Sequence, residues 1–301
     1  MNTRYSTASE MSKKWGLSER SVRAYCQQGR VTGAYINGKT WMIPSDAGKP
    51  GRKKKSSKRD DLVGRLSQEM GANVRGGVYH HLQVSMSYNS NHMEGTRLTE
   101  DQTRFIFETG TVTPGDGGVR VDDVVETTNH FRCFDYVIRT HDRKLTKTYL
   151  KNIHRLLKQG TSDATVRGYA IGEFKKLPNT VGDMDTVQPE DVDGAVSELL
   201  ERYESISVPK LEDVLGFHVR FEEIHPFQDG NGRVGRLIMF KECLRSGMVP
   251  FVIEDEFKSC YINGIRQWRT DSAYLLDTCR SAQDDMLEIM KKYRIDSVNG
   301  R

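Results

Sequence analysis

The sequence predicts a mainly α-helical protein built from a small basic N-terminal unit and a larger helical unit. Beyond Leu62, apolar residues recur at helical spacing and hardly ever alternate. The chain has 301 residues, of which 36% are hydrophobic, enough for about two domains with real cores. The first 60 residues carry 14 Lys and Arg against 4 Asp and Glu, whereas the remaining 241 carry 31 against 37. This uneven charge indicates two units with different partners.

The N-terminal unit shows the signals of two short helices followed by a β-hairpin. Thr7–Glu10 has the form of a capping box and predicts a helix that runs to Trp15, before a glycine. A serine and a second glycine bracket another helix over residues 19–28. An Asn-Gly dipeptide separates apolar runs at 34–36 and 40–43, which is the strongest short-range hairpin signal.

Two helices with a short turn and a hairpin wing resemble the winged helix-turn-helix module of the excisionase and MerR type. The resemblance covers roughly residues 5–46. It implies that the second helix contacts DNA through Arg20 and Arg23, with Lys39 at the tip of the wing. The alternative is that these side chains are surface residues of a protein-docking module. Winged modules often act as dimers on two half-sites, so a homodimer is a further expectation.

A basic polar segment, KPGRKKKSSKRDD at 49–61, separates the two units. Proline, glycine, serine and a run of like charges favour a flexible linker. The predicted domains are therefore residues 1–48 and 62–301. Neutralisation of phosphates by the basic residues of 1–60 would release counterions, so nucleic acid is the natural candidate partner of this end of the chain. The alternative is a solvated basic tail.

The larger unit is predicted to be a helical bundle with one small β flap. Glycines with aromatic and β-branched residues interrupt the helical pattern at 168–182 and suggest a short hairpin. The predicted helices are Val78–Met93, Glu100–Thr109, Val121–Thr140, Thr148–Lys158, Glu190–Tyr203, Leu211–Ile224, Asn231–Leu244 and Ala273–Tyr293.

The segment His225–Arg236, HPFQDGNGRVGR, joins the end of one helix to the start of the next. Its glycines let the backbone approach a ligand, and the amides that open the second helix favour an anion. Two arginines three residues apart suit phosphate, and Asp229 offers a hard oxygen ligand for Mg²⁺. His225 can accept a proton near neutral pH. The segment therefore predicts a triphosphate cradle with a metal ligand and a base at its edge.

The same segment resembles the signature of Fic-domain proteins, H-P-F-x-[D/E]-G-N-G-R-x-x-R, at every fixed position. The residues that precede it, among them His218, also look like the family, and the resemblance covers about residues 62–295. It implies a Fic-type helical bundle that transfers AMP from ATP to a protein Tyr, Ser or Thr hydroxyl and releases pyrophosphate. His218 itself is expected to be a buried structural histidine.

The resemblance also implies a role for each residue of the loop. His225 would be the base, and Asp229 would hold Mg²⁺ against the α- and β-phosphates. The Gly230–Gly232 amides and the Asn231 side chain would form the anion hole. Arg233 would contact the β-phosphate region and Arg236 the γ-phosphate.

A second motif, Ser90–Gly95, fits S/T-x-x-x-E-G/N at the end of a predicted helix upstream of the cradle. It resembles the inhibitory motif of the N-terminally inhibited Fic proteins. In that group, the glutamate pairs with the second arginine of the signature and takes the place of the γ-phosphate. The resemblance implies that Ser90, Glu94 and Gly95 form the inhibitory motif and that Glu94 blocks productive ATP binding through Arg236.

Residues of the flap and of the base pocket are further candidates. Tyr169–Gly182 falls where Fic proteins carry the hairpin that registers the target, and Lys175, Lys176 and Asn179 are expected near the nucleotide entrance. Tyr261 and Asn263 fall where the family closes the adenine pocket, although Tyr261 fits a core position equally well. Lys176 and Tyr261 are therefore added to the predicted ATP-binding residues.

The composition also bounds the compartment and the alternatives. Five scattered cysteines without a C-x-x-C pair argue against disulfides or a zinc cluster, and neither a signal peptide nor a membrane segment is evident. A cytoplasmic protein is expected.

Besides an autoinhibited adenylyltransferase, a DNA-binding regulator whose Fic body senses ATP remains open. So does a Fic enzyme that transfers another phosphate-containing group or removes AMP.

Overall fold

A computed structural model describes residues 4–27, 29–38, 40–50, 61–113, 118–182 and 184–299, with the exception of the Met184 side chain. These residues form two compact units, one within 1–55 and the other within 56–301. The N-terminal unit contains β1 (Tyr5–Thr7), α1 (Ala8–Trp15), α2 (Glu19–Gln27), β2 (Tyr35–Asn37) and β3 (Thr40–Pro44).

The two predicted helices and the hairpin of the N-terminal unit are present. Thr7 and Glu10 form the capping box, and α1 ends at Gly16, whose φ of 62° suits glycine. The strand Tyr5–Thr7 was not predicted; it pairs antiparallel with β3, which also pairs with β2. These elements enclose a small core around Met11, Val22 and Ile43. Assignment as a DNA-binding winged helix stays a prediction, and Gln28, Lys39 and residues 51–60 of the predicted linker lie outside the described residues.

The larger unit is helical, as predicted, and all eight helices expected there are present with ends within two residues. Two more helices, α3 and α11, were not individually predicted. The helices are α3 (Leu62–Ala72), α4 (Val78–Met93), α5 (Glu100–Thr109), α6 (Val121–Arg139), α7 (Lys147–Lys158), α8 (Val192–Glu204), α9 (Leu211–Ile224), α10 (Asn231–Ser246), α11 (Lys258–Gln267) and α12 (Ser272–Lys292).

The predicted flap is displaced along the chain. Its strands are β4 (Thr180–Val181) and β5 (Met184–Asp185), whereas residues 168–174 form turns. The sequence predicted the hairpin over 168–182, and the structure places its first strand only at the end of that range. Gly172 has a φ of 77°, its amide donates to His154 Nδ1 at 2.9 Å, and a Cβ there would lie 2.8 Å from the Arg155 side chain. The segment is thus packed against α7 instead of pairing as a strand.

Helix α10 forms the centre of the larger unit. Its residues from Asn231 to Leu244 are buried with one exception, Gly232, so the helix carries apolar and polar residues on every side. It packs against α4, α6, α7 and α9. The α9–α10 loop is therefore held by elements that are distant in sequence. In the part of the chain that the structure describes, no helix is long and apolar enough to cross a membrane.

Candidate active site

The α9–α10 loop is shaped by its own backbone and by two rings. His225 ends α9 with a φ of 50°, and its amide donates to Phe221 O. The Asn231 side chain accepts from Phe227 N and donates to Phe227 O, both at 2.8 Å. The Phe227 ring is buried and stacks on His154, with centroids 4.0 Å apart. Both polar groups of the Asn231 side chain are thus engaged by the loop backbone.

Asp229 is a residue of this loop, and its carboxylate is bonded to two cationic side chains. Its Oδ2 accepts from Lys158 Nζ at 2.6 Å and from Arg233 Nη2 at 3.0 Å. Burial alone would raise the pKa of Asp229, but the charges of Arg233 and Lys158 outweigh it and lower the pKa to about 2. The carboxyl is therefore ionised across the physiological range. Glu126 of α6 bonds both cations in turn, although no sequence motif marks Glu126 or Lys158.

Glu94 lies at the end of α4 and bonds Arg236 of α10. The Glu94 Oε1 accepts from Arg236 Nη2 at 2.6 Å, and Arg236 also donates to the Oγ and the backbone oxygen of Ser90, each at 2.9 Å. Burial by itself raises the pKa of Glu94, yet the Arg236 and Arg233 charges leave it below its ordinary value. The contact is a charge-assisted hydrogen bond, and the Arg236 side chain that makes it is only 6% exposed.

Gly232 leaves the space that the Glu94–Arg236 pair occupies beside the first turn of α10. A Cβ at Gly232 would lie 2.3 Å from Glu94 Oε1 and 2.9 Å from Arg236 Nη1. The Glu94 carboxylate thus contacts the opening turn of the helix, where the backbone amides lack intrahelical partners. Gly95 follows Glu94 with a φ of 94°, which a side chain would strain, so glycine lets the chain turn directly after Glu94.

His225 lies in the loop that leads into this turn and lines the same cavity as Gly232. Burial lowers the pKa of His225, which makes the imidazole neutral at pH 7. Its Nδ1 lies 3.7 Å from Glu222 Oε2. Burial raises the pKa of Glu222 to about 8, so this carboxyl is mostly protonated at neutral pH. A neutral imidazole can accept a proton from a hydroxyl group placed against it.

A cavity of about 800 Å³ joins the Glu94–Arg236 pair to His225. Gly232 and Tyr261 also line it, and the β4–β5 hairpin forms part of its wall. Its volume suits a nucleotide-sized ligand. Asp229 and Arg233 are not among the lining residues; they lie one turn or less away along the loop and α10.

Two neighbouring lysines that were predicted near the nucleotide entrance, Lys175 and Lys176, lie in different environments. Lys176 is exposed and does not line the cavity, whereas its neighbour Lys175 is buried. Lys175 Nζ donates to Asn179 Oδ1 and Thr186 Oγ1 at 2.7 and 2.6 Å, and burial lowers its pKa to about 8. Placement of Lys176 at the nucleotide entrance stays a prediction, and of the two neighbours it is Lys175 that is buried in a hydrogen-bond network.

Tyr261 is both a cavity residue and a core residue. It is buried, and its hydroxyl bonds His218 Nε2 at 2.5 Å. Burial lowers the pKa of His218 to about 3, which keeps this ring neutral. His218 is thus buried, as expected, while Asn263 is exposed two residues beyond Tyr261.

Asp229 is the residue that fits a divalent cation on the loop. Its Oδ2 is held by Lys158 and Arg233, and 42% of its side chain is exposed, so part of the carboxylate is accessible from the solvent. One carboxylate with access to phosphate oxygens is the ligand set that Mg²⁺ commonly uses.

In the N-terminal unit, Arg20 and Arg23 lie exposed on α2. Arg23 Nη2 contacts Glu19 Oε1 at 2.5 Å, one turn earlier on the same helix. Lys39 lies outside the described residues.

The fold and the loop are similar to those of a known family. Residues 144–243 match the model of the Fic/DOC family. The matched segment includes α7, α9 and most of α10, and with them His225, Asp229, Arg233 and Arg236.

Two curated proteins are similar to this chain. The chain is 27% identical over 188 residues to the protein adenylyltransferase Fic of Nematostella vectensis, which covers 60% of this chain and 42% of that protein. It is 27% identical over 179 residues to the protein adenylyltransferase fic-1 of Caenorhabditis elegans, which covers 58% of this chain and 34% of that protein. The chain thus spans less than half the length of these curated relatives.

Solved structures share the fold. A Fic domain containing signaling protein from Bacteroides thetaiotaomicron has a TM-score of 0.61 and 22% identity, and the match covers 77% of this chain and 95% of that one. Fic-1 from C. elegans has a TM-score of 0.59 and 19% identity, with coverage of 76% and 69%. At these identities the likeness concerns the fold.

Proposed function

We propose that the Fic domain transfers AMP from ATP to a hydroxyl side chain of a target protein and that Glu94 inhibits the transfer. The observation that carries the proposal is the Glu94–Arg236 bond, which lies against Gly232 in the same cavity as His225. The names of the relatives, protein adenylyltransferases, support the same activity.

ATP would bind with its phosphates at the opening turn of α10. The amides of Gly230–Gly232 would take the phosphate oxygens, with Arg233 at the β-phosphate region and Arg236 at the γ-phosphate. When bound, Mg²⁺ would be held by Asp229 and would neutralise charge on the phosphate oxygens. Tyr261 lines the same cavity and is assigned to nucleotide binding.

The chemical step needs a base, alignment and charge stabilisation. The neutral His225 takes the proton of the target hydroxyl as the hydroxyl oxygen attacks the α-phosphorus. The bond between the α-phosphorus and the bridging oxygen breaks, and pyrophosphate leaves. The helix amides and both arginines stabilise the charge that develops, which is the main contribution a protein makes to this kind of transfer.

Glu94 inhibits because it holds the guanidinium that the γ-phosphate needs. Two negative groups cannot share Arg236 at hydrogen-bond distance without repulsion. ATP therefore binds in a nonproductive position or displaces the carboxylate. The Arg236 guanidinium also donates to Ser90, and these bonds keep it oriented toward the Glu94 carboxylate.

Transfer from ATP that carries the label on either the α- or the γ-phosphate tests the proposal. Glu94→Gly should incorporate the α-label into proteins of a lysate or into itself, and the γ-label should not be incorporated. Wild-type protein should incorporate little. Equal labelling by the two proteins would contradict inhibition by Glu94, and γ-labelling would indicate transfer of a different phosphate-containing group. Loss of label from a protein that already carries AMP would indicate AMP removal.

The N-terminal unit supports a second function, DNA binding, on a specific observation. Within residues 1–60, the excess of basic over acidic residues is ten, and Arg20 and Arg23 are exposed on α2. In this alternative the Fic body serves as an ATP-sensing switch of a regulator. Anisotropy of labelled duplex DNA tests it with the full chain. Arg23→Glu should lower affinity and flatten the salt dependence, while Arg104→Glu should not, although Arg104 pairs with Glu100 in the same i,i+4 geometry. Equal loss in both variants would refute the assignment.

A further inference from the structure

Lys158 is a buried cation whose ammonium group lies among three carboxylates from three parts of the fold. It is the last residue of α7, and 2% of its side chain is exposed. Its Nζ contacts Asp229 at 2.6 Å and reaches Glu126 of α6 and Asp163 of the 3₁₀ turn 162–165 at similar distances. A lysine at a helix C-terminus usually extends into the solvent, so this burial calls for a function.

The three carboxylates have the arrangement of a divalent-cation site. One oxygen of each lies within 4.8 Å of the others, and carboxylate oxygens are the donors that Mg²⁺ and Mn²⁺ prefer. The position between them is filled by the Lys158 ammonium, which bonds all three. Arg233 adds a second positive charge through Glu126 and Asp229.

We propose that Lys158 is a positioning residue, a built-in cation that holds Asp229 and keeps divalent metal out of the Glu126–Asp163–Asp229 cluster. The proposal deepens the proposed function, because Asp229 is the residue there assigned to Mg²⁺. With its Oδ2 bonded to Lys158 and Arg233, Asp229 offers the metal only the accessible part of its carboxylate. A metal at Asp229 then needs further oxygen ligands, which the phosphates of a nucleotide supply. Lys158 thereby makes metal binding depend on nucleotide.

The same arrangement explains how Asp229, which is only half-buried, keeps one orientation on the loop. Two fixed cations at Oδ2 restrict rotation of the carboxyl group, and burial of Lys158 keeps solvent from competing for its hydrogen bonds. Arginine in place of Lys158 would keep the positive charge and the hydrogen bonds that fix Asp229. Methionine, which is neutral and of similar length, would remove both the charge and the hydrogen bonds.

Electron paramagnetic resonance of Mn²⁺ added to the purified full chain without nucleotide tests the proposal. We expect weak, unsaturated binding to the wild type and to Lys158→Arg, and binding at least about tenfold tighter to Lys158→Met, since a unit positive charge has left three carboxylates. Lys158→Met with Asp229→Asn should lose the gain. Thermal unfolding of each variant shows whether it is folded.

Two results would overturn the proposal. One is saturable Mn²⁺ binding to nucleotide-free wild type, a measurement that needs no folded variant. The other is a folded Lys158→Met protein that binds Mn²⁺ no more tightly than the wild type. Neither result concerns AMP transfer: a failure of labelling by Glu94→Gly would leave the Mn²⁺ measurement valid, and the reverse holds as well.

Discussion

Glu94→Gln should raise the affinity for ATP because it removes the charge that competes for Arg236. The bond concerned is 2.6 Å long, and it joins a guanidinium that is 6% exposed to a carboxylate that is 29% exposed. A hydrogen bond to a charged group contributes about 1.5–3 kcal/mol. If ATP must break this bond before its γ-phosphate reaches Arg236, complete loss of the bond in Glu94→Gly raises the affinity about 10- to 150-fold. Glu94→Gln keeps an acceptor oxygen and loses only the charge, so its gain is smaller. Solvent access to Glu94 favours the lower part of that range.

Isothermal titration with a nonhydrolysable ATP analogue and Mg²⁺ measures this gain. Glu94→Gly should gain at least as much as Glu94→Gln, whereas Glu94→Asp should gain less because it keeps the charge. Glu108→Gln is the matched control: Glu108 is 30% exposed and pairs with His80 at 2.9 Å, but it does not line the cavity. Affinity that is unchanged in Glu94→Gln, or raised equally in Glu108→Gln, would refute the reasoning.

Three further predictions follow from single contacts. Because burial holds the pKa of His225 below its ordinary value of 6.5, kcat/KM of Glu94→Gly should fall on the acid side with a midpoint below pH 6.5; a midpoint above pH 6.5 would exclude His225 as the base. Gly232→Ala should displace the Glu94 carboxylate yet fail to activate labelling, since its Cβ occupies the space beside the helix amides; activation equal to that of Glu94→Gly would contradict this. Tyr261→Phe should lower the free energy of unfolding in urea by about 1–3 kcal/mol, because it leaves the buried His218 Nε2 without its partner; an unchanged midpoint would show that the bond contributes nothing.

The helical fold was predictable because its signals are local. Caps, apolar spacing and turn residues lie within a few positions of the helix ends that they determine, as at Thr7–Glu10 and at the start of α10. The flap was misplaced because Gly172 serves close packing on α7, a tertiary contact with no periodic signature. In the sequence Gly172 is typical of a hairpin, whereas in the fold it lets the backbone lie close to α7.

The candidate site likewise contains residues that a local motif marks and residues that only tertiary contacts bring together. The loop His225–Arg236 is contiguous, so its residue types alone indicate phosphate and metal chemistry. The contact between Glu94 and Arg236 spans 142 positions, and only a resemblance to a family suggested it. Glu126 and Lys158 carried no signal: a glutamate within a helix and a lysine at a helix end are ordinary surface residues unless tertiary packing buries them.

Transfer of α-labelled AMP by Glu94→Gly, compared with the double variant Glu94→Gly with His225→Ala, tests the central claim most directly. Both proteins should bind the ATP analogue with equal affinity by titration, because His225 takes the proton and does not hold the phosphates. Only Glu94→Gly should then incorporate label into protein. Label of equal amount in the double variant would show that this loop does not perform the transfer as described.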